Sequence, residues 1–414
     1  MSTQAAAARS FFEEIAALTF DGEGITRESY GEGEERAMQA IEKYAATLGI
    51  TAERDRFQNL WLRLANDGRS EAPVVIGSHL DSVPRGGNYD GLAGVFAGLL
   101  VLDRLRPAPQ AAPPVRVLAL RGEESAWYGK AYTGSLALLG KLPASALALR
   151  HRSGKGTLGE AMANSGLDVD AIARGEALVV PGDIAAWLEL HIEQGPVMIA
   201  RGWPSAVVTG IRGNIRYTAV RCLGETGHSG AVPRWLRHDA VLATADLLSR
   251  MDEHWRVLLQ MGMDLVMTAG ICTTPAQSHA VSVIPGEVQF SFEIRSQDVD
   301  TLERFNALLL EESRTVEQAR GVRFEYGERI RTEPATMDPA WTTRLETAAL
   351  LRNTPIERMP SGAGHDAAVF ADAGIPAAMV FVRNANGSHN VHEAMDCVDF
   401  LDGVDLLHRA LLSV

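Results

Sequence analysis

The chain has 414 residues, 46% of them hydrophobic, enough to build a large core and more than one domain. Its formal charge of −13 argues against nucleic acid or an anionic membrane as a partner. Three scattered cysteines, Cys222, Cys272 and Cys397, are too few for a disulfide framework or a zinc ribbon, and no apolar run is long enough to span a bilayer.

The start, Met1-Ser2-Thr3-Gln4 and an alanine run, lacks the basic residues and long apolar core of a secretory signal, so a cytoplasmic location is expected. From about Arg9 to Val208, apolar strand-like runs alternate with helical ones, as in an α/β fold with a mixed, mostly parallel sheet flanked by helices. The run 73–78 reads as a buried strand, and its end carries His79 and Asp81 on one face. That edge is where open α/β sheets build their sites. Taken alone, such a triplet is more often a strand end meeting solvent.

Asp90 follows, between a Gly-Gly-Asn-Tyr turn and the helical run 91–100. It can be read as a helix N-cap or as a bridging carboxylate. After the Pro/Ala-rich loop 106–114 comes a second buried strand, 115–120, leading to Glu123 and Glu124. Adjacent acids in an extended segment point apart, so one suits metal binding and the other proton transfer, with a solvated acidic turn as the plain alternative. A third strand, 185–190, leads to His191-Ile192-Glu193-Gln194-Gly195.

The pattern changes after residues 208–213. A strand at 217–221, a helix-like segment through 239–243, and strands near 267–269 and 288–292 read as an inserted α+β domain. The expected division is 1–210 with 331–414 for the first domain and 211–330 for the insertion. Arg295 ends the strand run Phe292-Glu293-Ile294-Arg295, where its guanidinium suits either a substrate carboxylate or a surface ion pair. A fourth buried strand, 377–382, returns through a polar loop to His389. Four strand ends thus carry histidine and carboxylate groups, the donors of a zinc-like ion; a close pair of ions needs one carboxylate to bridge them.

The order and surroundings of these segments resemble the dinuclear-zinc aminoacylase and carboxypeptidase family, and within it the ureido-amidohydrolase branch. The resemblance runs from Gly31-Glu32-Gly33 to Ser388-His389-Asn390. It is carried by residues 191–196, by Gly227-His228-Ser229-Gly230, by Val283-Ile284-Pro285-Gly286, and by Gly362-Ala363-Gly364-His365-Asp366. It implies a metallopeptidase-like catalytic domain with an inserted lid and dimerisation domain, acting on N-carbamoyl amino acids or related ureido acids. Allantoate, or the N-acyl substrates of aminoacylases and dipeptidases, are the alternatives.

The resemblance further implies two divalent ions per subunit, zinc or else manganese, cobalt or nickel. Asp90 would bridge them, His79 and His191 would complete one, and Glu124 and His389 the other. Asp81 would orient His79 and Glu123 would act as general base. Arg295 would hold a small substrate's carboxylate, with Gln194 near the ureido end and Asn214 and Ser282 among the substrate contacts. His228 would donate to the oxyanion in the neighbouring subunit of a homodimer. Relatives commonly carry Asn where this chain has His279 and Ser282, and Gln where it has Asn214. Serine cannot make the paired contacts of an amide, which bears on the substrate. His365 and Asp366 are expected to support the site from behind, or Asp366 to cap a helix.

Overall fold

The computed structural model describes residues 3–278, 280–351 and 356–412; His279 lies outside the described residues. The chain divides into two compact units, Met1–Ile211 with Thr336–Val414, and Arg212–Ala335.

The first unit contains strands β1 (Ile50–Arg54), β2 (Leu60–Leu64), β3 (Val74–His79), β4 (Val115–Leu120), β5 (Ala186–Ile192), β6 (Ser205–Ile211), β7 (Glu357–Ser361) and β8 (Ala377–Val382). They form one sheet in the order β1-β2-β4-β3-β5-β8-β6, with β7 also on β6. The four central strands, β4-β3-β5-β8, are parallel, whereas β1–β2, β2–β4 and β8–β6 are antiparallel. Every residue of β3, β5 and β8 is buried. Strands covered on both faces need unbroken apolar runs, which is why the sequence does not alternate there.

Helices α1 (Thr3–Thr19), α2 (Glu32–Thr47), α3 (Leu92–Leu105), α4 (Pro339–Leu351) and α5 (Cys397–Leu412) belong to the same unit. Phe96 of α3 stacks on Phe11 of α1 at 4.0 Å and on Phe400 of α5 at 5.7 Å, tying both ends of the chain to one core. Each such buried ring contributes roughly 1.5–3 kcal/mol. Glycines let α3 approach the sheet: a Cβ on Gly94 would meet the Leu190 carbonyl at 2.3 Å. Gly91, just before α3, has φ +69°, and a Cβ there would lie 2.5 Å from the His79 ring. Only glycine both takes that conformation readily and lets Asp90 come this close to β3.

The second unit is built on the strand Gly213–Leu223, which pairs antiparallel with Glu287–Ser296, Arg323–Tyr326 and Arg329–Thr332. Helices Ala240–Gln260 and Val299–Arg320 pack against this sheet, where Ile215, Phe290, Phe292, Phe305 and Leu309 form the core. Burial alternates along Glu287–Ser296, as expected for a sheet with one covered face. Among the described residues, no helix is long and apolar enough to cross a membrane.

Candidate metal centre

The ends of β3, β5 and β8 and the turn after β4 bring five of the expected side chains together. Asp90 Oδ1 lies 3.4 Å from His79 Nε2 and 3.1 Å from His191 Nε2. Its other oxygen, Oδ2, lies 3.4 Å from His389 Nε2, which is 3.5 Å from Glu124 Oε1. Two ligand sets result, His79–Asp90–His191 and Asp90–Glu124–His389, each with its donor atoms within 4.8 Å of one another. They share Asp90, and each uses a different oxygen of its carboxylate. That is the arrangement a bridging carboxylate requires.

The second ring nitrogens are also engaged. His79 Nδ1 is 3.0 Å from the Asp81 carbonyl and 3.3 Å from Asp81 Oδ1, and His191 Nδ1 is 2.9 Å from the Ile192 carbonyl. Both contacts turn Nε2 toward Asp90, the usual way of fixing a ligand's tautomer. Asp81 does more: its Oδ1 accepts from the Glu123 amide and its Oδ2 from the Glu124 amide, each at 3.0 Å. One buried carboxylate therefore orients a histidine and fixes the acidic turn.

Asp90 does not cap α3. The N-cap position is Gly91, and no side-chain cap bond is made there. The Asp90 amide instead donates to Glu393 Oε1 at 3.3 Å, while Oδ2 accepts from Ser388 Oγ at 2.6 Å and Gln194 Nε2 at 2.7 Å. Gln194 Oε1 is buried without a hydrogen-bond partner among the described residues. His389 is half exposed and sits at φ +61°, an uncommon conformation for a non-glycine residue and one that recurs at functional sites.

Charge is the dominant property of this centre. Burial pushes Glu124 up to about 7, with the Asp90 carboxylate adding to the effect. Burial also drives Glu123 well above the usual carboxylate range; His79 opposes this, and Glu124, Asp366 and Asp81 reinforce it. The hydrogen bond to Asp90 raises His389 to about 9, against the effect of burial. Four carboxylates crowd together away from water, an excess of negative charge that divalent cations would relieve. With its imidazole and carboxylate donors, this set fits zinc-like ions.

Glu123 belongs to neither ligand set; its Oε2 is 3.9 Å from His79 Nε2. Glu189, His191 and His365 form a third close cluster. There Glu189 is already occupied, accepting from Ser78 Oγ, Trp187 Nε1 and the Ala367 amide at 2.8, 3.2 and 2.9 Å. The His365 ring packs edge-on against His191 at 4.4 Å, and its Nε2 lies 2.9 Å from Ser361 Oγ. Asp366 is not a cap: His365 holds the N-cap position of the helix Asp366–Asp372, and Asp366 Oδ1 accepts from Ser135 Oγ at 2.6 Å. These two residues pack behind the centre.

The remaining expected residues lie in the second unit. Arg295 and Asn214 are cross-strand partners, and Arg295 Nη2 reaches Glu293 at 3.1 Å. Asn214 Oδ1 is buried and has no hydrogen-bond partner among the described residues. His228 pairs with Val283, and the Ser229 amide donates to the Ser282 carbonyl at 2.8 Å, so His228 and Ser282 are close neighbours. Sequence reasoning passed over Arg27, Ser29, Glu34 and Glu393, all buried and all bonded to the loops that carry the candidate ligands. No local spacing marks their link to these loops, since Leu80, Asp81, Tyr89 and Gly122, to which they bond, lie 52 to 304 residues away.

A family model for peptidase family M20/M25/M40 matches residues 75–413. An N-carbamoyl-L-amino acid amidohydrolase of Geobacillus stearothermophilus is 31% identical over 394 residues, covering 94% of this chain and 93% of that one. Allantoate amidohydrolase of Escherichia coli is 31% identical over 399 residues, again covering 94% and 93%. Among solved structures, a hydantoinase/carbamoylase family amidase from Burkholderia ambifaria matches with TM-score 0.86 and 29% identity, covering 99% of this chain and 95% of that one.

Proposed function

This chain belongs to peptidase family M20/M25/M40, and from that premise we propose that it is a metal-dependent amidohydrolase of N-carbamoyl amino acids or related ureido acids. It cleaves the ureido C–N bond and releases the amino acid, ammonia and carbon dioxide. The observation that carries this reading is the Asp90 carboxylate, whose two oxygens face different ligand sets while Glu123 stands beside them outside both.

His79, His191 and Asp90 would hold one divalent ion, and Asp90, Glu124 and His389 would hold the other; zinc suits these donors, and manganese, cobalt or nickel could take the same places. When bound, the ions supply Lewis acidity for the carbonyl and the attacking water. Glu123 takes a proton from that water and returns it to the leaving nitrogen. Burial raises its proton affinity above that of an ordinary carboxylate, which strengthens it as a base. His228 donates to the developing oxyanion, and the Arg295 fork holds the substrate carboxylate. Gln194, with an unpartnered buried carbonyl oxygen, meets the ureido amine, and Asn214 and Ser282 shape the remaining contacts. The unit 212–335 acts as lid and dimerisation element, the active form is a homodimer in which His228 serves the neighbouring subunit, and the location is cytoplasmic.

Allantoate amidohydrolase is the second reading, because relatives of that name match as well as the carbamoylases do, at 31% identity in each case. A panel of carbamoyl, formyl and acyl amino acids plus allantoate, assayed with each metal, separates the readings. Carbamoyl amino acids are expected to turn over with one ammonia per amino acid, and their carboxyamide analogues poorly. Turnover confined to acyl amino acids, without ammonia, would replace the ureido reading with the aminoacylase one.

A further inference from the structure

Three of the four buried residues that sequence reasoning passed over, Arg27, Ser29 and Glu34, lie in one short stretch outside the region 75–413 that the family model matches. Arg27 is wholly buried. Its Nε donates to the Leu80 carbonyl at 2.6 Å, its Nη1 to Asn88 Oδ1 at 3.1 Å, and its Nη2 to the carbonyls of Asn88 and Asp90 at 3.3 Å each. The backbone is fixed as well: the Arg27 amide donates to Ser82 Oγ at 3.0 Å, and its carbonyl accepts from the Ser82 amide at 2.8 Å. Leu80 stands between His79 and Asp81, and Asp90 is the residue shared by both ligand sets.

A guanidinium is a rigid fork with five N–H donors. Placed on these carbonyls, it sets the spacing between the end of β3 and the Asp90 turn, two segments the chain joins only through a loop. Burying the cation is unfavourable, and the nearby charges of Glu393, Asp90, Asp81 and Glu124 offset part of that cost. Among the described residues, the side-chain hydrogen bonds of Arg27 all go to carbonyl oxygens and none to a ligand carboxylate, so the positive charge leaves the donor oxygens available to metal. Two neighbours extend the brace. Ser29 Oγ donates to Asp81 Oδ2 at 2.5 Å, and Glu34 accepts from the Gly122 amide at 3.0 Å and from Arg121 Nε at 2.6 Å, behind the Glu123–Glu124 turn.

We propose that Arg27 is a positioning residue of the paired-metal centre, holding the His79–Asp81 turn and the Asp90 turn at the separation that lets Asp90 serve both ligand sets. This rests on the metal reading given above. The test is Zn2+ binding by full-length protein, measured by competition with a chromophoric chelator, together with kcat, KM and the melting transition. Arg27→Lys keeps the charge but not the fork. It is expected to fold, to bind Zn2+ about tenfold or more weakly, and to lose kcat about tenfold with KM little changed. A purely structural arginine would lower the melting temperature and leave Zn2+ affinity alone. Asn88→Ala keeps Arg27 and removes one acceptor, and should weaken Zn2+ binding about threefold or more, so it decides the matter if Arg27→Lys does not fold. Wild-type Zn2+ affinity and kcat, within about twofold, in folded Arg27→Lys, or in Asn88→Ala if the first variant is lost, would overturn the proposal. Wild-type protein that binds no Zn2+ at all would instead defeat the metal reading on which it rests.

Discussion

Replacing Glu123 by glutamine is expected to leave a folded, metal-loaded protein whose turnover is lower by about a hundredfold or more. The substitution preserves volume and removes one negative charge from a crowded buried cluster, so it should not threaten the fold. Nor should it disturb the ligands, because Glu123 lies in neither set and its backbone amide is held by Asp81 regardless of the side chain. What would be lost is the carboxylate that the proposed mechanism uses to take a proton and give it back. Burial together with Glu124, Asp366 and Asp81 drives the Glu123 carboxyl upward in spite of His79, which makes it a stronger base than an exposed carboxylate. The check is kcat at saturating substrate, with metal content measured on the same sample. Near-normal rates in loaded Glu123→Gln would reject the assignment.

The second large effect is that of removing metal. Chelation is expected to abolish turnover, and returning a divalent ion should restore it. The physical ground is the composition of the centre: Asp81, Asp90, Glu123 and Glu124 are all buried, and Glu124 is pushed up to about 7 by burial and the Asp90 charge. Such a cluster is poorly balanced by histidines alone. Because metal binds the native arrangement and not the unfolded chain, melting temperature should fall on chelation and recover with the ion. Full turnover by protein shown by elemental analysis to be metal-free would contradict the account.

The gathering of His79, Glu124, His191 and His389 was legible in the sequence because each comes at or after the end of an apolar strand run, and parallel strands gather their C-terminal ends at one edge; Asp90 instead precedes an apolar helical run. The same logic gave the central sheet. It could not say which alternative held at Asp90, since Asp before a helix reads equally well as a cap; the deciding facts are the positive φ of Gly91, the bond Asp90 accepts from Ser388, 298 residues away, and the bond its amide donates to Glu393, 303 residues away. Asp366 was misread as a capping option for the same reason, as its partner Ser135 lies 231 residues distant. Arg27 and Glu34 were illegible altogether. A buried arginine or glutamate carries no periodic signature, and its meaning rests on carbonyls and amides that only the tertiary structure brings near.

The central claim is that two ions lie side by side with Asp90 between them. Anomalous diffraction at the zinc edge, from crystals of zinc-loaded protein, tests it most directly. The account predicts two peaks, one against His79 and His191 and the other against Glu124 and His389, with an oxygen of Asp90 on each. A single peak at full zinc loading, or peaks away from Asp90, would contradict it.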